Sequence, residues 1–257
     1  MRSCELLALV ASLSVALALP TKQPQQQPLG DAAPSSFLKV QEEYAYMHPL
    51  HSRTNRGIHR LRKAEIIPTV IDDFLPSLTL SVSWKKDDAD LGNTVKPKRL
   101  QKQPTISLYD EADPEGISSS SLSYVVTLTD PDAPSRDNPE WSEMCHWIAA
   151  NVSVSQKTVS ILPMPIFGMD QFQETSAPDD VIEYKPPGPP KKTGKHRYVF
   201  LVFAPKNGTT ESLHLSKPTD RQHWGTGDEG GGVRDWAKEN ELVPVAANFI
   251  YSQHKKQ

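Results

Sequence analysis

Three stretches of this 257-residue chain set polar chemistry beside rigid backbone. The segment TDPDAPSR (129–136) leaves a β-branched run and turns at once. Pro131 and Pro134 fix φ and lack a backbone donor, so Asp130 and Asp132 are held at the end of a strand. Rigid loops at strand ends are favoured places for binding residues. The alternative is an Asx-type turn in which both carboxylates cap local N–H groups. His146 and His196 each open a strand-like run, HWIAANVSV and HRYVFLVFA. A strict period of two puts His146 in phase with Ile148, Ala150, Val152 and Val154, and His196 with Tyr198, Phe200 and Val202. Between the two runs, PPGPPKKTGKHR (186–197) supplies Lys191, Lys192, Lys195 and Arg197 on a stiff backbone, with Gly188 and Gly194 allowing close approach. Imidazoles, cations and backbone N–H groups together suit a small anion such as phosphate. If both histidines donate to it, binding weakens as pH rises through the usual histidine value of about 6.5.

Other chemistries are weaker. Asp130, His146 and His196 are possible metal ligands or hydrolytic groups, but no tight His pair or CxxC spacing accompanies them. Cys145 adjoins His146, yet alternation sets them on opposite faces, which disfavours a nucleophilic dyad and reads Cys145 as a small buried hydrophobe. Gly225 to Gly230 matches GxGxxG, but no strong strand precedes it and Asp228 and Glu229 would repel a pyrophosphate, so it reads as a loop. No motif calls for a cofactor.

The positioning elements are mostly strands. Residues 78–84, 123–129, 146–154, 196–204 and 243–251 are alternating, β-branched or aromatic, and bounded by turn formers. Asn207-Gly208 after the fourth of them is a hairpin-type turn signal. No 10–15-residue helices separate these strands, which predicts an antiparallel, mainly β body rather than a parallel sheet. Short helices are expected over 37–47, over 57–74 with a break at Pro68, and over 233–242. Composition agrees with a β-rich body and a polar tail: 23 prolines, 37% hydrophobic residues and a net charge of −3. That charge argues against an electrostatic nucleic-acid binder. The basic run Arg53, Arg56, Arg60, Arg62, Lys63 reads as a solvated helix face or a processing site.

Residues 1–18 read as a secretory signal peptide, with Arg2 ahead of an apolar run and an Ala16-Leu17-Ala18 cleavage site. No transmembrane segment is expected in the mature chain. Residues 19–35 form a Pro/Gln-rich segment with no apolar period, expected to be disordered. An N-terminal helical region (36–75) and a β domain (76–257) follow. The expected destination is extracellular, or a vacuole or cell wall. Removal of Cys4 with the signal leaves Cys145 as the only thiol, so the core alone would hold the fold. Two glycosylation sequons suit that route: Asn207, at a turn, is the better candidate, and Asn151, within a strand, the poorer.

TDPDAPSRDNPEWSEMCHW and GPPKKTGKHRYVFLVF resemble the two signature segments of the phosphatidylethanolamine-binding protein family, and the resemblance runs from about Ile66 to Tyr251. WSEMCH (141–146), GNT (92–94), RQHWGTG (221–227) and the 235–251 segment resemble its carboxypeptidase Y inhibitor branch in particular. The resemblance implies an antiparallel β-sandwich-like fold with a few short peripheral helices. It implies a non-enzymatic protein with a site for phosphate or a phospholipid headgroup at Asp130, Trp141, His146, Pro189, Pro190, His196 and Tyr198. It also implies a serine carboxypeptidase as partner; a lipid or small-anion carrier without a protease target is the alternative. The chain departs from the family pattern at Pro186 and Lys192, each in place of a glycine, and at Met144, in place of an aromatic residue common in phospholipid-binding members.

Overall fold

The computed structural model describes residues 51–110, 122–155, 178–228 and 230–256. The predicted signal, the 19–35 stretch and the 37–47 helix lie outside the described residues. Helix α1 (His51–Lys63) ends earlier than the break expected at Pro68, because Glu65 already takes φ 54° and turns the chain. The next turn buries Ile66, Ile67, Val70 and Ile71.

Among the described residues nine strands follow: β1 (Thr79–Trp84), β2 (Asp87–Asp88), β3 (Asn93–Thr94), β4 (Thr105–Tyr109), β5 (Tyr124–Asp130), β6 (Met144–Val152), β7 (Asp179–Ile182), β8 (Lys195–Pro205) and β9 (Leu242–Gln253). Helix α2 (Val233–Glu239) precedes β9. The five strands expected from alternation are β1, β5, β6, β8 and β9; the short strands β2, β3, β4 and β7 carry too few residues to show a period. Asn207-Gly208 does turn the chain, with Gly208 N–H donating to Pro205 O at 3.0 Å. It closes no hairpin, because the antiparallel neighbour β9 arrives only after α2.

A three-stranded sheet of order β2-β1-β4 and a six-stranded sheet of order β3-β9-β8-β5-β6-β7 result, antiparallel except for the β3–β9 pair. One apolar cluster joins Leu80, Val82 and Trp84 of the small sheet to Val126, Leu128, Trp147, Phe200 and Ile250 of the large one. Trp84 and Phe200 meet edge to face across it at 5.9 Å. The other face of the large sheet, including Val125, Cys145, Leu201 and Phe203, packs on Leu61, Ala64 and Ile66 near α1 and on Val233 and Trp236 of α2. The fold is thus a mainly β sandwich with peripheral helices, and α1 lies in the same compact unit as the strands. β5 ends, and β6 and β8 begin, at one end of the large sheet.

Candidate functional site

That end gathers Asp130, Met144, His146, His196 and Tyr198. In the register Asp130 faces Met144, and Thr129 faces both Cys145 and Val199. Leu128, however, faces Trp147. His146 is therefore an extra residue, a β-bulge between two ladder pairs. The bulge corrects the strict alternation read from the sequence: Trp147 and Ala149 pack in the inter-sheet core, while Ile148 packs on the helix side. His146 points with Tyr198, whose ring it meets edge-on at 5.3 Å, and not with Ile148. Cys145 does lie on the opposite face from His146, buried, with its thiol pushed up to about 12 by burial.

The polar groups here satisfy one another. Asp130 is buried; its Oδ1 accepts from Asp132 N–H at 2.8 Å, and its Oδ2 lies 2.9 Å from His196 Nδ1. His196 Nε2 lies 2.9 Å from Thr193 Oγ1, and that hydroxyl also lies 3.0 Å from Pro190 O. Both ring nitrogens of His196 are thus engaged, one by Asp130 and the other by Thr193. Tyr198 stacks on His196 and shares hydrogen bonds with Asp130 and the Gly188 backbone; burial, then Asp130, push its phenol well above the usual value.

His146 is oriented by the Lys185 carbonyl, 2.7 Å from Nδ1. A carbonyl only accepts, so Nδ1 bears the hydrogen and Nε2 is the nitrogen left for a ligand. Burial lowers the pKa of this ring, against an opposing pull from Asp130. The ring is therefore neutral near pH 7, with a bare Nε2.

Asp132 and Arg197 belong to the scaffold. The Arg197 guanidinium straddles the Asp132 carboxylate at 2.7–3.2 Å and donates through Nη1 to Ala64 O and Glu65 O, so it supplies no free cation. Exposed Lys185, whose charge reaches the His146 ring, and exposed Lys191 and Lys192 provide the positive rim instead, while Lys195 Nζ lies over the Tyr251 ring, 5.8 Å from its centroid. Lys192 stands at φ 64°, a left-handed conformation natural to glycine. Pro189 is buried, and Pro190 is exposed with its carbonyl turned to Thr193. Trp141 is partly exposed on the loop before β6, tied to Ala133 O through its backbone, while Met144 is the residue set against Asp130. Asn207 and Asn151 lie apart from the site, at the ends of β8 and β6. Among the described residues no three His, Cys, Asp or Glu side chains gather to hold a metal ion.

Sequence reasoning missed Thr193, although a hydroxyl three residues before His196, across Gly194-Lys195, is a legible signal. It also missed the supporting segment that starts at Arg221. Arg221 donates to Cys145 O, His146 O and Glu183 O, fixing the bulge from outside. Behind the site, Glu143 accepts from Thr129 Oγ1 at 2.9 Å, and Trp224 Nε1 donates to the same hydroxyl. Glu143 packs so closely on Gly232 that a Cβ there would fall 2.2 Å from Oε1. Burial pushes this carboxyl up to about 8.

A sequence profile described as phosphatidylethanolamine-binding protein matches residues 84–250. The carboxypeptidase Y inhibitor of Saccharomyces cerevisiae is 33% identical over 211 residues, covering 77% of this chain and 95% of its own. The protein FLOWERING LOCUS T of Arabidopsis thaliana is 26% identical over 193 residues, covering 75% of this chain and 89% of its own. Among solved structures, a carboxypeptidase Y inhibitor complexed with its cognate proteinase superposes with a TM-score of 0.64 at 30% identity, across 79% of this chain and 97% of its own.

Proposed function

The chain belongs to the phosphatidylethanolamine-binding protein family, and on that footing we propose that it is a non-enzymatic binding protein whose site takes the phosphoryl group of a phosphate or phospholipid headgroup. The observation that carries this reading is the division of labour between the two histidines. The Asp130–His196–Thr193 chain is internally satisfied and rigid, so it shapes the site, while His146 Nε2 is left for a ligand beneath a lysine rim. Binding of phosphorylethanolamine to the full chain, followed by calorimetry near pH 6, tests the reading. Loss of at least tenfold in affinity in His146→Ala supports it, and unchanged affinity sinks it.

A second reading stands beside it: inhibition of a carboxypeptidase Y-type serine carboxypeptidase through the protein surface. The relative at 33% identity is named for that activity, and the fold matches such an inhibitor over nearly its whole length. Titration into such a carboxypeptidase tests it: stoichiometric loss of peptidase activity is the expected result, and full activity at large molar excess of folded protein refutes it. In that outcome a lipid or small-anion carrier remains. The signal-like leader directs the protein to the secretory route, for release or for retention in a vacuole or wall.

A further inference from the structure

The bulge at His146 leaves a specific proton account. Nδ1 donates to the Lys185 carbonyl at 2.7 Å, so in the neutral ring Nε2 has no hydrogen. The neighbouring groups are committed: the His196 nitrogens are engaged by Asp130 and Thr193, and the Tyr198 hydroxyl donates to Asp130. A phosphodiester has no hydrogen of its own, and a phosphomonoester dianion has none either. Two acceptors cannot bond, so a hydrogen bond between Nε2 and either ligand requires one proton from outside.

We propose that phosphoryl capture at this site takes up one proton, which comes to lie between His146 Nε2 and a phosphoryl oxygen. This rests on the phosphoryl reading above and adds its proton stoichiometry and ligand dependence. The proton comes from solvent for a diester at any pH where the ring is neutral. For a monoester it comes from solvent only above the second ionisation of the phosphate, near about pH 6; below that, the ligand brings it. His196 takes no part, because both its ring nitrogens are already engaged, by Asp130 and by Thr193.

The charged and titratable groups around His146 fit this account. Asp130 on β5 favours the cation, whereas Lys185 after β7, Arg221 on the supporting segment and burial oppose it. The His196–Asp130 pair and Tyr198 on β8 complete the set. The free ring is therefore poised neutral, and an arriving anion supplies the charge that draws the proton in.

Calorimetric titrations of the full chain in two buffers of different ionisation enthalpy measure the proton count directly. The probes are phosphorylethanolamine, a monoester, and glycerophosphorylethanolamine, a diester. At pH 8 each is expected to take up about one proton on binding, and the diester affinity to fall about tenfold per pH unit above neutrality. At pH 5.5 the monoester uptake drops toward zero, while the diester still draws its proton from solvent. The ¹⁵N spectrum of His146 gives a measure that needs no variant: Nε2 moves from the unprotonated to the protonated range on diester binding. His146→Gln, which presents an amide N–H, is expected to bind either probe without uptake. Binding at pH 8 with no proton uptake, or uptake that persists in His146→Gln, overturns the proposal while leaving phosphoryl binding intact. Absence of binding by both probes to the wild type overturns the phosphoryl reading itself, and this proposal with it.

Discussion

Arg197 Nη2 lies 2.7 Å from Asp132 Oδ1, and both side chains are buried. The pair are 65 residues apart, and the same guanidinium reaches the Ala64 and Glu65 carbonyls. One interaction thus joins the 129–136 loop, the start of β8 and the chain after α1.

Removing one partner leaves a buried charge alone. Arg197→Met or Asp132→Asn is expected to destabilise the fold by about 3–5 kcal/mol, measured by chemical denaturation. Loss below about 1 kcal/mol would show that the junction is not structural.

The raised carboxyl of Glu143, at about 8, has a definite sign. A buried acid whose folded pKa lies above its unfolded value binds more protons when folded. Stability is therefore full below about pH 4.3 and declines between that point and about pH 8, by up to about 1.4 kcal/mol per pH unit from this one group. Glu143→Gln is expected to keep the Thr129 contact and flatten that slope. Denaturation at pH 5 and pH 8 checks it: the variant should gain on the wild type at pH 8, and parallel slopes would contradict the assignment.

Lys192 occupies a backbone conformation that costs an ordinary residue about 1–2 kcal/mol, partly offset in glycine by its greater chain entropy. Lys192→Gly is therefore expected to raise stability by up to about 1 kcal/mol while removing one rim charge. Thermal denaturation measures the first effect, and the salt dependence of phosphorylethanolamine binding the second.

The two sequons differ in how their amides are held. Asn207 is exposed on a turn, with its Oδ1 accepting from Thr209 N–H. The Asn151 amide is engaged by Ser123 and Asp179, and its φ is 58°. For protein secreted from a glycosylating host, the intact mass is expected to fall by one glycan in Asn207→Gln and to stay unchanged in Asn151→Gln.

The long strands were legible from their apolar runs, and the fold brings Asp130, His146 and His196, which flank those runs, to one end of the large sheet. The face of Ile148 was not legible. Alternation assumes an unbroken ladder, and the bulge after Cys145 inserts a residue that no composition signal marks. The roles of the two histidines were equally hidden. Which one is free depends on a Thr193 hydroxyl, a Pro190 carbonyl and a Lys185 carbonyl, and backbone acceptors leave no trace in residue type. Arg197 looked like a site cation in sequence, and only the fold shows its donors spent on Asp132 and the chain after α1.

Binding of a phosphoryl group at His146, beside the rigid Asp130–His196 pair, is tested by an NMR titration of the isotopically labelled protein with phosphorylethanolamine near pH 6. Saturable shifts confined to His146, Tyr198, Gly188 and their neighbours are expected. Shifts confined to another surface, or none at millimolar ligand, would contradict it.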